Sequence, residues 1–376
     1  MLRVVVLWAC VAASLAAPPV GRVTADAAAS VRDADALGAR RQATRRACTA
    51  VGTITCATAQ DNFKKWNDAL QSCRTKDVNV AAADIAALYS VEKDPKDLPI
   101  LSFLPTVSPN HIKDIKKDGV EDTTDYFVDF CGKNPAGEIT DDIVMQLGGT
   151  DAYLHSGLYT FQLGDIGAQS PVQARFSYVW KKYGNDWKIT HHHSSLAPIA
   201  PAARRSGEAA AELTADDTAA EETAALVAKA AEAAPSPTSR RLLTTPEDAA
   251  TNFKKWVDAL KTKNADTVAA LYSTAPGELS FLPTVEPKHL KTNAEAKDYF
   301  VKFVKSNPYG IITDEQVQVF GTDAYLHSGL YTFALGETMG KQTMNAARFS
   351  YVWKKYGNDW KIIHHHSSKQ PTGIIS

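Results

Sequence analysis

Apolar positions fall at helical spacing from Asn62 to Arg74, where Phe63, Trp66 and Leu70 share a face, and this predicts an amphipathic helix. Ala82 to Tyr89 reads as a second, short helix. Leu101-Ser102-Phe103-Leu104 reads as a short strand stopped by Pro105. Thr123 to Cys131 places Tyr126, Phe127 and Phe130 on one helix face. Strand patterns then dominate: Asp142 to Gly148, Ala152 to Gly164, Gln173 to Tyr183 and Asp186 to Ser195, with a hairpin turn at Tyr183-Gly184-Asn185-Asp186. Helices followed by a run of antiparallel strands make an α+β fold. A bent sheet wrapped on the long first helix would form a cone with one pocket.

The whole pattern occurs twice. Asn62-Phe63-Lys64-Lys65-Trp66 returns at Asn252 to Trp256, Leu101 to Val107 at Leu279 to Val285, and Asp125-Tyr126-Phe127 at Asp298-Tyr299-Phe300. Ala174 to Ile189 returns unchanged from Ala347, and each copy ends in His-His-His-Ser-Ser, at His191 to Ser195 and His364 to Ser368. Each repeat is long enough for its own core, so this is duplication of a domain and not a solenoid. The expected layout is a signal peptide over 1–17, a transit-like or disordered leader over 18–57, domains over 58–198 and 247–376, and an Ala/Pro/Glu-rich tether over 199–246. Within the tether, Glu208 to Ala234 favours an exposed helix.

Strand alternation sorts the pentad. If Lys188 faces water, Trp187, Ile189, His191, His193 and Ser195 share the opposite face, and Trp360, Ile362, His364, His366 and Ser368 match them. His191, His193 and Ser195 are thus expected in the cone's pocket. His192 and Ser194 are expected to turn away, toward solvent or a subunit contact. Thr190 against Ile363 fits a face with looser demands.

Composition changes little. The net charge of −1 over 376 residues argues against a nucleic-acid partner. All five cysteines lie between Cys10 and Cys131, so the second repeat folds without any. Pairing of Cys48 with Cys56 or of Cys73 with Cys131 is left open by the spacing. A basic start, an apolar run and small residues near Ala16 and Ala17 have the form of a signal peptide, too short to span a bilayer. With the Arg-bearing stretch behind it, this leader resembles the bipartite plastid leaders of algae with complex plastids; simple secretion is the alternative. No membrane segment is expected in the mature chain.

Arg-Phe-Ser-Tyr-Val-Trp, Gly-Asn-Asp-Trp-Lys-Ile and His-His-His-Ser-Ser resemble the association domain of calcium/calmodulin-dependent protein kinase II, of the cone-shaped nuclear-transport-factor-2-like superfamily. No kinase signature accompanies them. The leader, the stand-alone domains and the Leu-Pro-Thr and Asp-Tyr-Phe motifs look more like the iota-class carbonic anhydrases. That resemblance spans both repeats and neither leader nor tether. It implies reversible hydration of carbon dioxide to bicarbonate, one pocket per repeat, without metal; manganese or zinc is the alternative. It also implies Thr106, Tyr126, His193 and Ser195 as site residues, with Thr284, Tyr299, His366 and Ser368 in the second copy.

Other roles remain open from sequence. His191 and His364 could contact substrate. Arg175 and Arg348 could bind the anion, or pair with an acid at the surface. His191 with His193 could offer two imidazoles to a metal, but no third ligand of the usual kind is evident. Tyr153, His155 and Tyr159 share a strand face, where core packing is the expected role of the tyrosines. An Asp–His pair using Asp151 or His155 would suit an isomerase or dehydratase. A non-catalytic association module is the competing reading. The cones are expected to pair sheet to sheet, repeat on repeat or as a homodimer.

Overall fold

The computed structural model describes residues 47–116, 120–199, 246–336 and 342–372. The expected signal peptide, most of the leader, and the tether with its Glu208–Ala234 helix lie outside these. In chain order the first repeat runs β1 (Thr49–Val51), α1 (Cys56–Gln71), α2 (Val78–Ala86), β2 (Ser102–Leu104), α3 (Thr123–Cys131), β3 (Ala136–Gln146), β4 (Ala152–Leu163), β5 (Ser170–Tyr183) and β6 (Asp186–Leu196). The second runs α4 (Pro246–Lys261), α5 (Ala265–Ala269), β7 (Ser280–Leu282), α6 (Asn293–Phe303), β8 (Tyr309–Phe320), β9 (Ala324–Leu335), β10 (Thr343–Tyr356) and β11 (Asp359–Lys369). The strand orders are β1-β3-β4-β5-β6-β2 and β7-β11-β10-β9-β8. The α+β reading holds, in two copies.

Local chemistry sets the helices. Thr55 caps α1 by accepting from the Thr58 amide, and the helix buries Phe63, Trp66 and Leu70 on the face that spacing predicted. Asp122 caps α3, and Thr292 with Glu295 forms a capping box on α6. Each sheet curls over its helices around an aromatic core, in which Trp66 meets Phe127, Phe161 and Tyr178 edge-on and Trp256 meets Phe333 and Tyr351 likewise.

Three features go beyond what the sequence reading settled. β1, inside the stretch read as leader, pairs in parallel with β3. Both cysteine pairings left open are made, Cys48–Cys56 and Cys73–Cys131. Strand β6 carries a bulge: Trp180 pairs with Ile189 and Val179 with His191, so Thr190 has no partner. Ile363 is the extra residue of β11 in the same way.

The sheets' outer faces pack on each other within the chain. Leu154, Val179 and Met145 of the first repeat share one apolar cluster with Leu326, Val352 and Ile363 of the second. Around it lies a buried polar seam. Ser102 bonds Ser328 at 2.8 Å and Ser156 bonds Ser280 at 2.7 Å. Lys291 and His289 both reach Asp141, and Lys113 and His111 both reach Asp314. Sheet-to-sheet pairing of the repeats is therefore intramolecular here. Among the described residues no helix is long and apolar enough to cross a membrane.

Candidate functional site

The bulge decides which pentad residues enter the cone. A one-residue insertion switches every following side chain to the other face. Ile189 points inward, Thr190 and His191 both point to the seam, and from there His192 and Ser194 point inward while His193 and Ser195 point to the seam. The sequence expectation for this strand is thus inverted beyond Ile189. Thr190 and Ile363 are not on a looser face; both are fully buried.

Inside the first cone, Ser194 Oγ bonds both Thr106 Oγ1 and Tyr159 Oη. Thr106 follows Pro105, which ends β2 beside β6, so the chain delivers its hydroxyl to the strand. Tyr126 on α3 lies edge-on to Phe103, with its hydroxyl beside the Thr106 backbone. The second cone repeats this: Thr284 Oγ1 bonds Ser367 Oγ at 2.5 Å, Tyr331 Oη bonds the same oxygen, and Tyr299 lines the same space. Burial raises the pKa of Tyr126, Tyr159, Tyr299 and Tyr331, so all four remain neutral hydrogen-bond donors.

The inward imidazole is His192. It stacks on Tyr178 at 4.2 Å and on Phe103 at 4.8 Å. Trp66 Nε1–H donates to Tyr89 Oη at 3.2 Å, and that hydroxyl lies 2.8 Å from His192 Nδ1. With the oxygen already accepting from the indole, its own proton is best directed to Nδ1. We therefore assign the Nε2–H tautomer. Trp256, Tyr272 and His365 form the same chain at 3.1 and 2.8 Å. Burial holds both imidazoles well below their ordinary pKa, hence neutral. Nε2 of each is buried without a hydrogen-bond partner among the described residues.

In the second repeat a cavity of about 80 Å³ is lined by Thr284, Tyr299, Tyr331, His365 and Ser367. One of about 290 Å³ in the first repeat is lined by Thr106 and Tyr126, with Phe130 and Phe161 as apolar walls. A single water needs roughly 10–15 Å³ on this scale, so each cavity admits a small solute with water. Convergent O–H and N–H donors in an apolar cup suit a small oxyanion.

The remaining predicted residues lie in the seam. His193 bonds Ser350 and Ser368 at 2.9 Å, and His366 bonds Ser177 and Ser195 at 2.9 Å. His191 Nδ1 meets Ser102, and His364 Nδ1 donates to the Ser280 carbonyl. Arg175 and Arg348 are buried and meet no acid at the surface. Arg175 Nε–H donates to Ser195 at 3.0 Å and Arg348 Nε–H to Ser368 at 3.1 Å. Structure thus brings Thr106 and Tyr126 to the cone, with Thr284 and Tyr299, and keeps His191, His193 and Ser195 out of it. The residues that sequence reasoning missed are His192, Ser194 and Tyr159, with His365, Ser367 and Tyr331.

His155 pairs with Asp142 at 3.0 Å, not with Asp151, which is exposed; the second repeat pairs His327 with Glu315 at 2.6 Å. Among the described residues no three His, Cys, Asp or Glu side chains are grouped to hold a metal. His191 and His193 lie outside the cone, where His191 Nδ1 meets Ser102 and both nitrogens of His193 meet serines.

The family described as calcium/calmodulin dependent protein kinase II association domain matches residues 87–198 and 246–371. A putative association domain of this kind from Xanthomonas campestris is 31% identical over 37% of this chain and 99% of its own, with a TM-score of 0.32. The association domain of the C. elegans kinase is 19% identical over 33% of this chain and 94% of its own, with a TM-score of 0.28. A putative dehydratase of the NTF2-like family from Streptomyces avermitilis is 16% identical over 33% and 94%, with a TM-score of 0.29. No curated protein matches the chain. With more than half of its length matched in two blocks, the chain belongs to the calcium/calmodulin-dependent protein kinase II association-domain family and carries that domain twice.

Proposed function

We propose that each cone binds carbon dioxide and bicarbonate and interconverts them without a metal, as the resemblance to iota-class carbonic anhydrases implies. The observation that carries this reading is the meeting of the Thr106, Ser194 and Tyr159 hydroxyls inside the cone, two residues along β6 from an imidazole whose Nε2 has no partner among the described residues, repeated at Thr284, Ser367, Tyr331 and His365. Water adds to the carbon of carbon dioxide and negative charge grows on its oxygens. The hydroxyls and the Nε2–H donate to those oxygens in a site from which bulk water is largely excluded. The raised phenols and the depressed imidazole make poor bases. The released proton therefore passes hydroxyl to hydroxyl, each giving one proton as it takes another, and leaves through Thr106 at the cavity wall. The balance is carbon dioxide plus water giving bicarbonate plus a proton.

Stopped-flow hydration after exhaustive chelation tests the proposal. Activity that survives chelation is expected. No activity in any metal condition would remove the enzyme reading, and activity restored only by metal would remove the metal-free one. A second reading, a non-catalytic association or small-anion module, is favoured by the extensive seam between the sheets; it predicts bicarbonate binding without hydration. We also propose plastid delivery by the leader. A fluorescent protein fused behind residues 1–57 would report it, and export to the medium would contradict it.

A further inference from the structure

Arg348 belongs to the second repeat, yet it serves the first. Its Nη1–H donates to the Pro105 carbonyl and its Nη2–H to the Ser194 carbonyl at 3.1 Å. Those two carbonyls belong to the segments that present Thr106 and Ser194 to the first cone. Arg175 mirrors it: Nη1–H donates to Pro283 O at 2.5 Å and Nη2–H to Ser367 O at 3.2 Å, beside Thr284 and Ser367. Each arginine is 1% exposed.

The hydrogen bonds of both arginines end on neutral oxygens, and among the described residues neither meets a carboxylate. Burial lowers each to about 9, which still leaves it charged at neutral pH. A buried cation ordinarily has a paired anion, because an unpaired one forfeits its hydration. Here no acidic partner stands among the described residues, and the field acts on the other repeat's cone. Arg348 acts on Tyr126 and Tyr159, and Arg175 on Tyr299 and Tyr331.

We propose that the anion site of each repeat is completed in trans: Arg348 supplies the positive charge and holds the hydroxyl-bearing segments for the first cone, and Arg175 does so for the second. This rests on the reading that the cones bind bicarbonate, and it makes the tandem chain an obligate pair of mutually dependent sites. Both arginines are positioning residues, since each acts through the backbone of Ser194 or Ser367 and through its field.

The test assigns each arginine to a pocket. In full-length protein carrying Ser367→Ala, only the first cone keeps its serine. Adding Arg348→Gln or Arg175→Gln in that background and titrating with ¹³C-bicarbonate by NMR reads the first cone alone. Arg348→Gln is expected to weaken binding at least ten-fold more than Arg175→Gln, and Arg348→Lys to recover part of the loss. In the Ser194→Ala background the order is expected to reverse. Equal losses, or a larger loss from the arginine in the same repeat as the cone, would overturn completion in trans. If a Gln variant does not fold by circular dichroism, Arg348→Lys against Arg175→Lys carries the same comparison, and symmetric loss is again the contrary result. Failure of the unsubstituted protein to bind bicarbonate would instead defeat the functional reading, and this inference with it.

Discussion

His193 and His366 lie ring on ring across the seam, their centroids 3.7 Å apart and their planes 9° from parallel. Both nitrogens of each ring are hydrogen-bonded to serines of the opposite repeat, His193 to Ser350 and Ser368 and His366 to Ser177 and Ser195. Neutral rings stack at this distance; two imidazolium ions would repel, with Arg175 and Arg348 adding to the repulsion.

Acid should therefore loosen the chain. Burial, then neighbouring cations and imidazoles, depress His191, His193 and His366 well below the ordinary 6.5 and His364 to about 3. The folded values lie below the unfolded one, so the unfolded chain binds more protons once pH falls through 6.5. Stability is full above that pH and is lost as pH falls, by up to about 1.4 kcal/mol per pH unit for each such histidine. Urea midpoints measured near neutrality and in mild acid are expected to drop steeply, and His193→Gln with His366→Gln to flatten the slope. A midpoint independent of pH over that window would contradict this.

The Trp66–Tyr89–His192 chain yields a second expectation. Tyr89→Phe leaves His192 Nδ1 buried without its donor, at a cost of about 1–3 kcal/mol. Nitrogen chemical shifts of His192 should report Nε2–H in the unsubstituted protein and a shift toward Nδ1–H in the variant. Unchanged shifts would show that the hydroxyl does not set the tautomer.

Gly157 faces the bulge of β3, where Ile139 pairs with Tyr159 and Asp141 with Leu158. A Cβ there would overlap the Asp141 carbonyl, and Gly329 stands in the same relation to Asp314. These two aspartates anchor the seam through Lys291 and Lys113. Gly157→Ala should cost at least about 1–3 kcal/mol by overpacking. Thermal unfolding would measure it, and an unshifted midpoint would contradict the close approach.

Much of this was legible in the sequence: the duplication, the α+β order, the α3 helix at its observed bounds, and Thr106 and Tyr126 as residues of one pocket. The inward half of the pentad was not. Alternation assumes a strand without an extra residue, and the bulge at Thr190 arises only from how β6 pairs with β5. One signal was present: Ile362 and Ile363 are consecutive apolar residues where alternation demands one, and each is buried in a different core. Burial of Arg175 and Arg348 was equally hidden, because it depends on the second repeat covering the first.

The most direct test of the central claim compares the two faces of the pentad. Ser194→Ala with Ser367→Ala removes the inward hydroxyls, while Ser195→Ala with Ser368→Ala removes those of the seam. Hydration rates per folded protein should fall by about 10²-fold or more for the inward pair, as when an oxyanion donor is lost, and the melting temperature should fall as well, because Thr106 with Tyr159 and Thr284 with Tyr331 lose their shared partner. The seam pair should lower the melting temperature and retain the larger share of activity. The reverse order, with the seam pair silencing hydration and the inward pair sparing it, would contradict the account.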